Sequence, residues 1–318
     1  MTETDSARAQ TPNTAPQPRV SVVVPHLNQL EALYECLASI QQQLIGGGDI
    51  EIIVVDNGST VALTEVQAAH PMVKFLSEPQ PGPGLARNRG VLAATAPVLA
   101  FIDADCRAET GWLAAALAAV EPDPARRVVG GDVRVPFADP RRISPTEAYE
   151  AVFSYRQRMF IETHLYSGTG NLAMGRAVFD AVGPFGGIDT AEDMDWGLRA
   201  HALGYVTRYI PGMIIYHPAR PDFAALATKW RRHVRHAWND YQSAGQPRWR
   251  WQLRAAAVLA SIGVHGVKML TSDRVPGFAN RLRGIGMLIR TRRFRAAEML
   301  RVADAPAESG ALFWNRER

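Results

Sequence analysis

Two carboxylates one residue apart, Asp103 and Asp105, follow the apolar run VLAFI in VLAFIDADCRA, residues 98–108. An ionised carboxylate at the end of a buried strand is costly unless a positive charge compensates it. One use of such acids is a strand-end turn, where Asp caps its own backbone. Another is a hard divalent cation, Mg2+ or Mn2+. Such ions prefer oxygen and are held by one or two carboxylates together with substrate phosphates. A cation here would neutralise the pair and keep open positions for a diphosphate.

Four more clusters bear on chemistry. In VVDNGST, Asp56 and Asn57 end a second apolar run. Gly58 suits a turn there, and the Asp could equally accept a hydrogen bond from a nucleobase N–H. PGPGLARNRG, residues 81–90, is a glycine-rich loop feeding a helix. Backbone N–H groups and the guanidiniums of Arg87 and Arg89 can approach an anion there, or the arginines can simply be solvated. DTAEDMDWGLRAHALG, residues 189–204, gathers Glu192, Asp193 and Asp195. Thr190 and Asp193 have capping-box spacing, and acids complement a helix N-terminus. A carboxylate beside metal and diphosphate could instead take a proton from an attacking hydroxyl. His217 in IIYHPAR follows a strand, as a satisfied structural histidine or as a nitrogen ligand to the same metal.

These residues need elements to hold them. β-Branched runs predict a strand at 19–24 and a second at 50–60 that ends in a polar turn, with further strands at 73–79 and 98–102. Between them lie predicted helices at 29–44, closed by GGG at 46–48, at 60–69, and after the glycine-rich loop. Alternating strands and helices build a parallel sheet with helices on both faces, and ligands of such sheets sit beyond the strands' carboxyl ends. PHLN, DNGS and DAD occupy three such ends. The later half is less regular. Helices are predicted at 111–121, 144–162 and 191–203, and strands at 128–135, 205–210 and 212–217. SGTGN, residues 167–171, reads as a loop. Tyr149, Phe153, Tyr155 and Phe160 are expected to shape an acceptor side.

The 318 residues suffice for one large α/β domain with an appendage. Cys36 and Cys106 are too few for a disulfide framework or a zinc site, which points to a reducing compartment. Residues 1–18, polar and proline-rich, read as a disordered leader without an apolar signal segment, so secretion is not expected. The net charge is +4, with arginines crowding the last hundred residues. That basic end suggests an anionic surface. In 226–241, Trp230, Val234, Trp238 and Tyr241 share one helical face and Arg231, Arg232 and Arg235 lie off it. The run Ala255–Val264 is apolar but too short to span a bilayer. The expectation is peripheral attachment to the cytoplasmic face of the membrane. The alternative is a helical appendage packed on the rest of the chain.

Taken in order, VSVVVPHLN, VVDNGST, GPGLARNRG, FIDADC, SGTGNLAMGRAVFDAVGPF and TAEDMDWGLRAHALGY resemble family-2 glycosyltransferases of the GT-A fold over residues 19–220. The resemblance implies a Rossmann-like, mostly parallel sheet flanked by helices. It divides the chain into a catalytic domain at 19–222, with nucleotide-binding (19–105) and acceptor (106–222) halves, and a basic helical region at 223–318. It implies a nucleotide-diphospho-sugar donor, UDP first and GDP or dTDP next, with Mn2+ or Mg2+. Asp56 would touch the nucleobase in a pocket with Pro25, His26, Asn28 and Asn57. Arg87, Asp103 and Ala104 would lie along the donor, and Gly170 and Asn171 would border its sugar. Asp105 and His217 would ligate the metal. Asp193 would be the catalytic base, with Glu192, Asp195 and Trp196 on the acceptor side. His26 and Leu27 replace the family's frequent Thr-Tyr, and Asn57 replaces a frequent Asp. The Q-x-x-R-W motif of processive synthases is absent, which implies one sugar per encounter, delivered to a glycan or lipid-linked acceptor in cell-envelope synthesis.

Three other readings compete. A sugar nucleotidyltransferase would carry a glycine-rich, lysine-bearing loop where this chain has PHLNQ. A nucleic-acid binder would leave Asp103, Asp105, Asp193 and His217 without work, and no nucleic-acid motif is present. A catalytically silent nucleotide-sugar-binding protein would keep the pocket without the turnover.

Overall fold

The computed structural model describes residues 17–43, 49–188 and 190–304. Most of the expected leader and the GGG helix stop lie outside these residues. Eight strands form one sheet: β1 (Val20–His26), β2 (Ile50–Asp56), β3 (Lys74–Ser77), β4 (Val98–Ile102), β5 (Arg107–Ala108), β6 (Val128–Arg134), β7 (Asn171–Gly175) and β8 (Thr207–Tyr216). Their order is β3-β2-β1-β4-β7-β6-β8-β5.

The first half matches the alternating pattern. β1, β2, β3 and β4 pair in parallel, linked by helices α1 (Leu30–Gln41), α2 (Thr64–Ala69) and α3 (Pro83–Ala93). The β1–β2 register sets His26 opposite Asp56, so two polar strand ends meet at one edge. Fully buried Val20–Val24 and Val98–Ile102 alternate between two cores, one on each face of the sheet. Strands buried on both faces are nearly all apolar, and the one polar side chain in these segments, Ser21, is bonded to Glu51 and the Ala96 N–H.

Beyond β4 the sheet turns mixed. β7 runs antiparallel to both β4 and β6, while β6 and β8 are parallel. The two strands expected near 205–217 are one, with a register shift opposite Gly131 and Asp132 that a period-2 reading takes for a break. The helix expected at 144–162 is two, α5 (Pro145–Phe153) and α6 (Gln157–His164). Asn171, expected at the sugar pocket, is a sheet strut instead. It is fully buried; its Oδ1 accepts from Trp112 Nε1 at 2.8 Å and its Nδ2 donates to the carbonyls of Asp132 (2.8 Å) and Met213 (2.9 Å). Trp112 begins α4 (Trp112–Val120), and α7 (Arg176–Val182) and α8 (Glu192–Ala202) cover the other face.

Three long helices, α9 (Phe223–Ser243), α10 (Arg248–Leu270) and α11 (Phe278–Asp304), dock on this domain. Met269 and Val275 pack with Ile143, Ala148 and Val152, and Leu226, Met287 and Leu288 close over Tyr149. Ions fix the register. Fully buried Glu150 accepts from Arg220 Nη1 at 2.6 Å and lies 3.6 Å from Lys229 Nζ, and Arg274 reaches Asp132 at 2.8 Å. Burial alone would raise the Glu150 pKa; Lys229 and Arg220 hold it below the usual range. The α9 face expected to meet a membrane is turned inward: Val234, Trp238 and Tyr241 pack on Trp251, Ala296 and Met299. The longest apolar window belongs to α10 and exceeds the run at 255–264. By length and composition α10 could cross a membrane, with mean hydropathy 1.4 and only 11% of that window buried.

Asn171→Ala would leave the Trp112 N–H and two carbonyls without partners inside the sheet. The expected cost is about 3 kcal/mol of folding stability, read by urea denaturation.

Candidate active site

A cleft of about 510 Å³ opens beyond the carboxyl ends of β1 and β4. Pro25, His26, Arg87, Asp103, Ala104, Asp105, Gly170, Glu192, Asp193 and His217 all line it. Residues far apart in sequence therefore converge as the carboxyl-end rule requires.

The positive charge at the end of β4 is first of all Arg87. Its buried guanidinium donates through Nη2 to Asp103 Oδ1 at 2.6 Å and through Nη1 to Glu192 Oε1 at 3.0 Å. Burial would lower the Arg87 pKa, but Asp103 and Glu192 on either side raise it. Gly84 makes the pairing possible, because a Cβ there would fall 2.2 Å from the Gly186 carbonyl and hold the start of α8 away from α3. Gly170 does the same for Asp103: a Cβ would sit 2.5 Å from Oδ2. Arg89, two residues on from Arg87, is exposed, as helical spacing dictates. The chain does turn here, with the Cys106 N–H donating to the Asp103 carbonyl at 3.0 Å, but the Asp103 carboxylate goes to Arg87 rather than capping its own backbone.

Asp105 is left for other work. Its Oδ1 is 3.6 Å from His217 Nε2, and its Oδ2 accepts from Gln29 Nε2 at 3.3 Å. His217 Nδ1 lies 2.8 Å from the Pro218 carbonyl, which can only accept, and 2.8 Å from the Tyr155 hydroxyl. A proton on Nδ1 meets that carbonyl, and in the neutral imidazole the Nε2 lone pair then faces Asp105. That is the tautomer a metal ligand needs, fixed by its outer partner. A carboxylate and an imidazole facing each other in a cleft fit a divalent cation that takes its remaining ligands from a diphosphate and water. Cys106 Sγ lies within the same 4.8 Å cluster, but the thiol is buried and its pKa pushed well above normal, chiefly by burial. A protonated soft donor adds nothing for a hard ion.

Asp193 sits in the first turn of α8. Burial, then the neighbouring Glu192 charge, push its pKa up to about 6. Its Oδ1 accepts from the Met194 N–H at 2.8 Å. The expected capping box does not form. Thr190 Oγ1 donates to the Gly187 carbonyl, and α8 has no side-chain N-cap, which leaves the Asp193 carboxyl to the cleft.

The base pocket differs in detail from expectation. Gln29 N–H donates to His26 Nε2 at 3.1 Å, so Nδ1–H faces Asp56 Oδ1 at 3.2 Å. Burial would raise the Asp56 pKa, but hydrogen bonds from His26 and Ser59 hold it below the usual carboxylate range. Asp56 lines a smaller neighbouring cavity with Ser59, Phe75 and Leu76. Asn57 lines the cleft, yet its amide is spent on the loop before α3: Nδ2 donates to the Glu78 and Gln80 carbonyls and Oδ1 accepts from Gly82 N–H. Asn28 does not line the cleft. At φ 53° it ties two loops together by accepting from Thr60 N–H at 2.8 Å.

Two acceptor-side expectations fall away. Asp195 pairs with Arg199 at 2.9 Å on the outer side of α8. Trp196 is 1% exposed, stacked among Phe179 and Phe185 with Nε1 donating to the Gly183 carbonyl. Three and four residues after Glu192, these positions satisfy the helical core and its rim. Glu192 does line the cleft, but as a partner of Arg87. Tyr149 is core rather than cleft. The sequence reading passed over Gln29, Gln157 and Arg232. Gln157 clamps Gly168 through both ends of its amide, and Arg232 brings to the cleft an arginine with no carboxylate partner among the described residues. No local spacing announces any of the three.

The Glycosyl transferase family 2 model matches residues 21–185, slightly more than half of the chain. The chain belongs to glycosyltransferase family 2. Glycosyltransferase AglE of Haloferax volcanii is 30% identical over 224 residues, 69% of this chain and 73% of that protein. The pre-mycofactocin glycosyltransferase of Mycobacterium tuberculosis is 29% identical over 227 residues, 66% of this chain but 45% of its own length. Among solved structures, the mannosyltransferase PcManGT of Pyrobaculum calidifontis, in complex with GDP-Man and Mn2+, superposes with a TM-score of 0.52 at 19% identity, covering 95% of this chain and 80% of that one. At that identity the likeness speaks for the GT-A fold. The family-2 chain is thus a glycosyltransferase whose motifs surround one cleft.

Arg87→Met would leave the Asp103 and Glu192 carboxylates close together without their shared cation. Equilibrium unfolding is expected to show a loss of about 3 kcal/mol, partly recovered when Glu192→Gln is added.

Proposed function

We propose that this family-2 enzyme is an inverting, metal-dependent transferase that moves one sugar from a nucleotide-diphospho-sugar to an acceptor hydroxyl. The observation that carries the reading is the convergence of Asp105, His217 and Asp193 on the cleft that also holds the Arg87–Asp103 pair. The donor's nucleoside lies toward Pro25, His26 and Asp56, and its sugar toward Asp103 and Gly170. Asp105 and His217 would hold Mn2+ or Mg2+, and the ion would supply Lewis-acid stabilisation for a diphosphate leaving group. Asp193 accepts the proton of the acceptor hydroxyl as that oxygen bonds to the anomeric carbon and the bond to the nucleoside diphosphate breaks. Attack and departure on opposite sides invert the centre. Arg232 offers its unpaired charge to an anionic group in the cleft. The GDP-Man and Mn2+ bound by PcManGT support the ligand class and leave the sugar to experiment. We assign the activity to glycan or glycolipid assembly for the cell envelope, at the cytoplasmic face of the membrane, on the strength of the basic, partly apolar helical region.

Transfer from a panel of UDP-, GDP- and dTDP-sugars with Mn2+ tests the reading, and no turnover with any donor across suitable acceptors would end it. Asp193→Asn is expected to lower kcat by about 10²–10⁴-fold while donor affinity, read by calorimetry, stays. Asp105→Ala is expected to weaken Mn2+-dependent donor binding itself. The base must be ionised, so kcat/KM is expected to fall about tenfold per pH unit below about pH 6 and to level off above it.

A further inference from the structure

The helical region walls a second cavity, of about 500 Å³. Arg156, from the turn before α6, Arg254 of α10, and Arg292 and Arg295 of α11 line it, and no Asp or Glu does. None of the four makes an ion pair among the described residues. The Nε atoms of Arg156, Arg292 and Arg295 are enclosed without a hydrogen-bond partner. Arg295 lies over the Trp230 ring, 3.7 Å from its centre, and Arg254 lies over Trp251 at 5.8 Å. Burial first, then the charge of Arg292, lowers the Arg295 pKa to about 10, as uncompensated neighbouring cations require. Confined like charges with unmet donors cost free energy that only an anion with several acceptor oxygens can return. Guanidinium forks match phosphate in this way.

The cavity also has an apolar side. Phe153, Trp251, Ala257, Val258 and Met299 make part of its wall apolar, on the side of α10 facing away from the exposed Leu253, Val264 and Val267. The cavity adjoins the catalytic cleft. In the link between α5 and α6, Phe153 and Arg156 line the cavity, and Ser154, Tyr155 and Gln157 line the cleft. On α9, Trp230 and His233 serve the cavity and Arg232 serves the cleft.

We propose that this cavity binds the phosphate or diphosphate group of an amphiphile whose apolar chain lies against that apolar wall. Its role as the anchor of a lipid-linked acceptor rests on the transferase reading above; the binding site itself does not.

The test uses the full chain with EDTA present, so that the metal-dependent cleft stays silent. Farnesyl diphosphate is the probe, farnesol the apolar control and inorganic pyrophosphate the free anion. Binding is read by tryptophan fluorescence and by thermal unfolding. Farnesyl diphosphate is expected to saturate and to raise the melting temperature by several degrees, with farnesol and pyrophosphate at least tenfold weaker. Arg292→Gln is expected to weaken the probe at least tenfold. Arg292 makes no hydrogen bond among the described residues, so this variant keeps the fold and its ligand-free melting temperature should not drop. Arg295→Lys, which keeps the charge but loses the planar stack, should retain part of the binding. Pyrophosphate binding as tightly as the probe would overturn the amphiphile. The site is overturned if no phosphate probe saturates, or if a folded Arg292→Gln protein binds as well as the wild type. Nucleotide and Mn2+ binding, measured in parallel without EDTA, separates the two readings: its absence beside intact farnesyl diphosphate binding strikes the cleft alone.

Discussion

One buried guanidinium organises this molecule. Arg87 stands at the junction of α3, the end of β4 and the start of α8, and holds a carboxylate from each of the latter two. A cation out of water needs such partners, and the acids need it as much. The pairing fixes how closely α8 approaches α3 and the end of β4, and therefore where Asp193 stands. It also satisfies Asp103 within the protein and leaves Asp105 as the acid facing His217. Two aspartates one residue apart thus have different electrostatic surroundings. Local sequence cannot say which is which, because the deciding charge arrives from residue 87.

The legible parts of the sequence were those governed by short-range rules. The unbroken apolar runs of β1, β2 and β4 demanded strands covered on both faces, and their polar ends marked the cleft. The charged positions 87, 103, 105, 193 and 217 stood out because acids and bases after buried strands or at helix starts need a reason. The illegible parts were long-range. Asn171 looked like a ligand and is a strut because Trp112 and a bulged β6–β8 pair surround it. Trp196, expected on the acceptor side, is core because α8 turns that side onto Phe179 and Phe185. Tyr155 was read as acceptor lining, and its hydroxyl also meets the His217 ring that faces Asp105.

The helical region shows how one composition supports two outcomes. Its tryptophan-bearing α9 face has the pattern of an interfacial helix, and the protein uses it to make its own core with Trp251 and Met299. The apolar surface that remains is shared by α10, with Leu253, Leu259, Val264 and Val267 exposed, and α11, with Phe278, Leu282 and Leu300 exposed. Basic residues there serve both purposes: Arg274 and Lys229 lock the region to the domain, whereas Arg292 and Arg295 remain without acids among the described residues.

The short link between α5 and α6 is a partition with a different tenant on each side. Arg87, Asp103 and Asp105 of the cleft lie far in sequence from the partition and the helices behind it, which are built from residues beyond 140. The two tasks can therefore drift at separate rates. Substitutions at Phe153 or Arg156 reshape the rear cavity without touching Arg87 or Asp105, so the two sides of the partition are open to change one at a time.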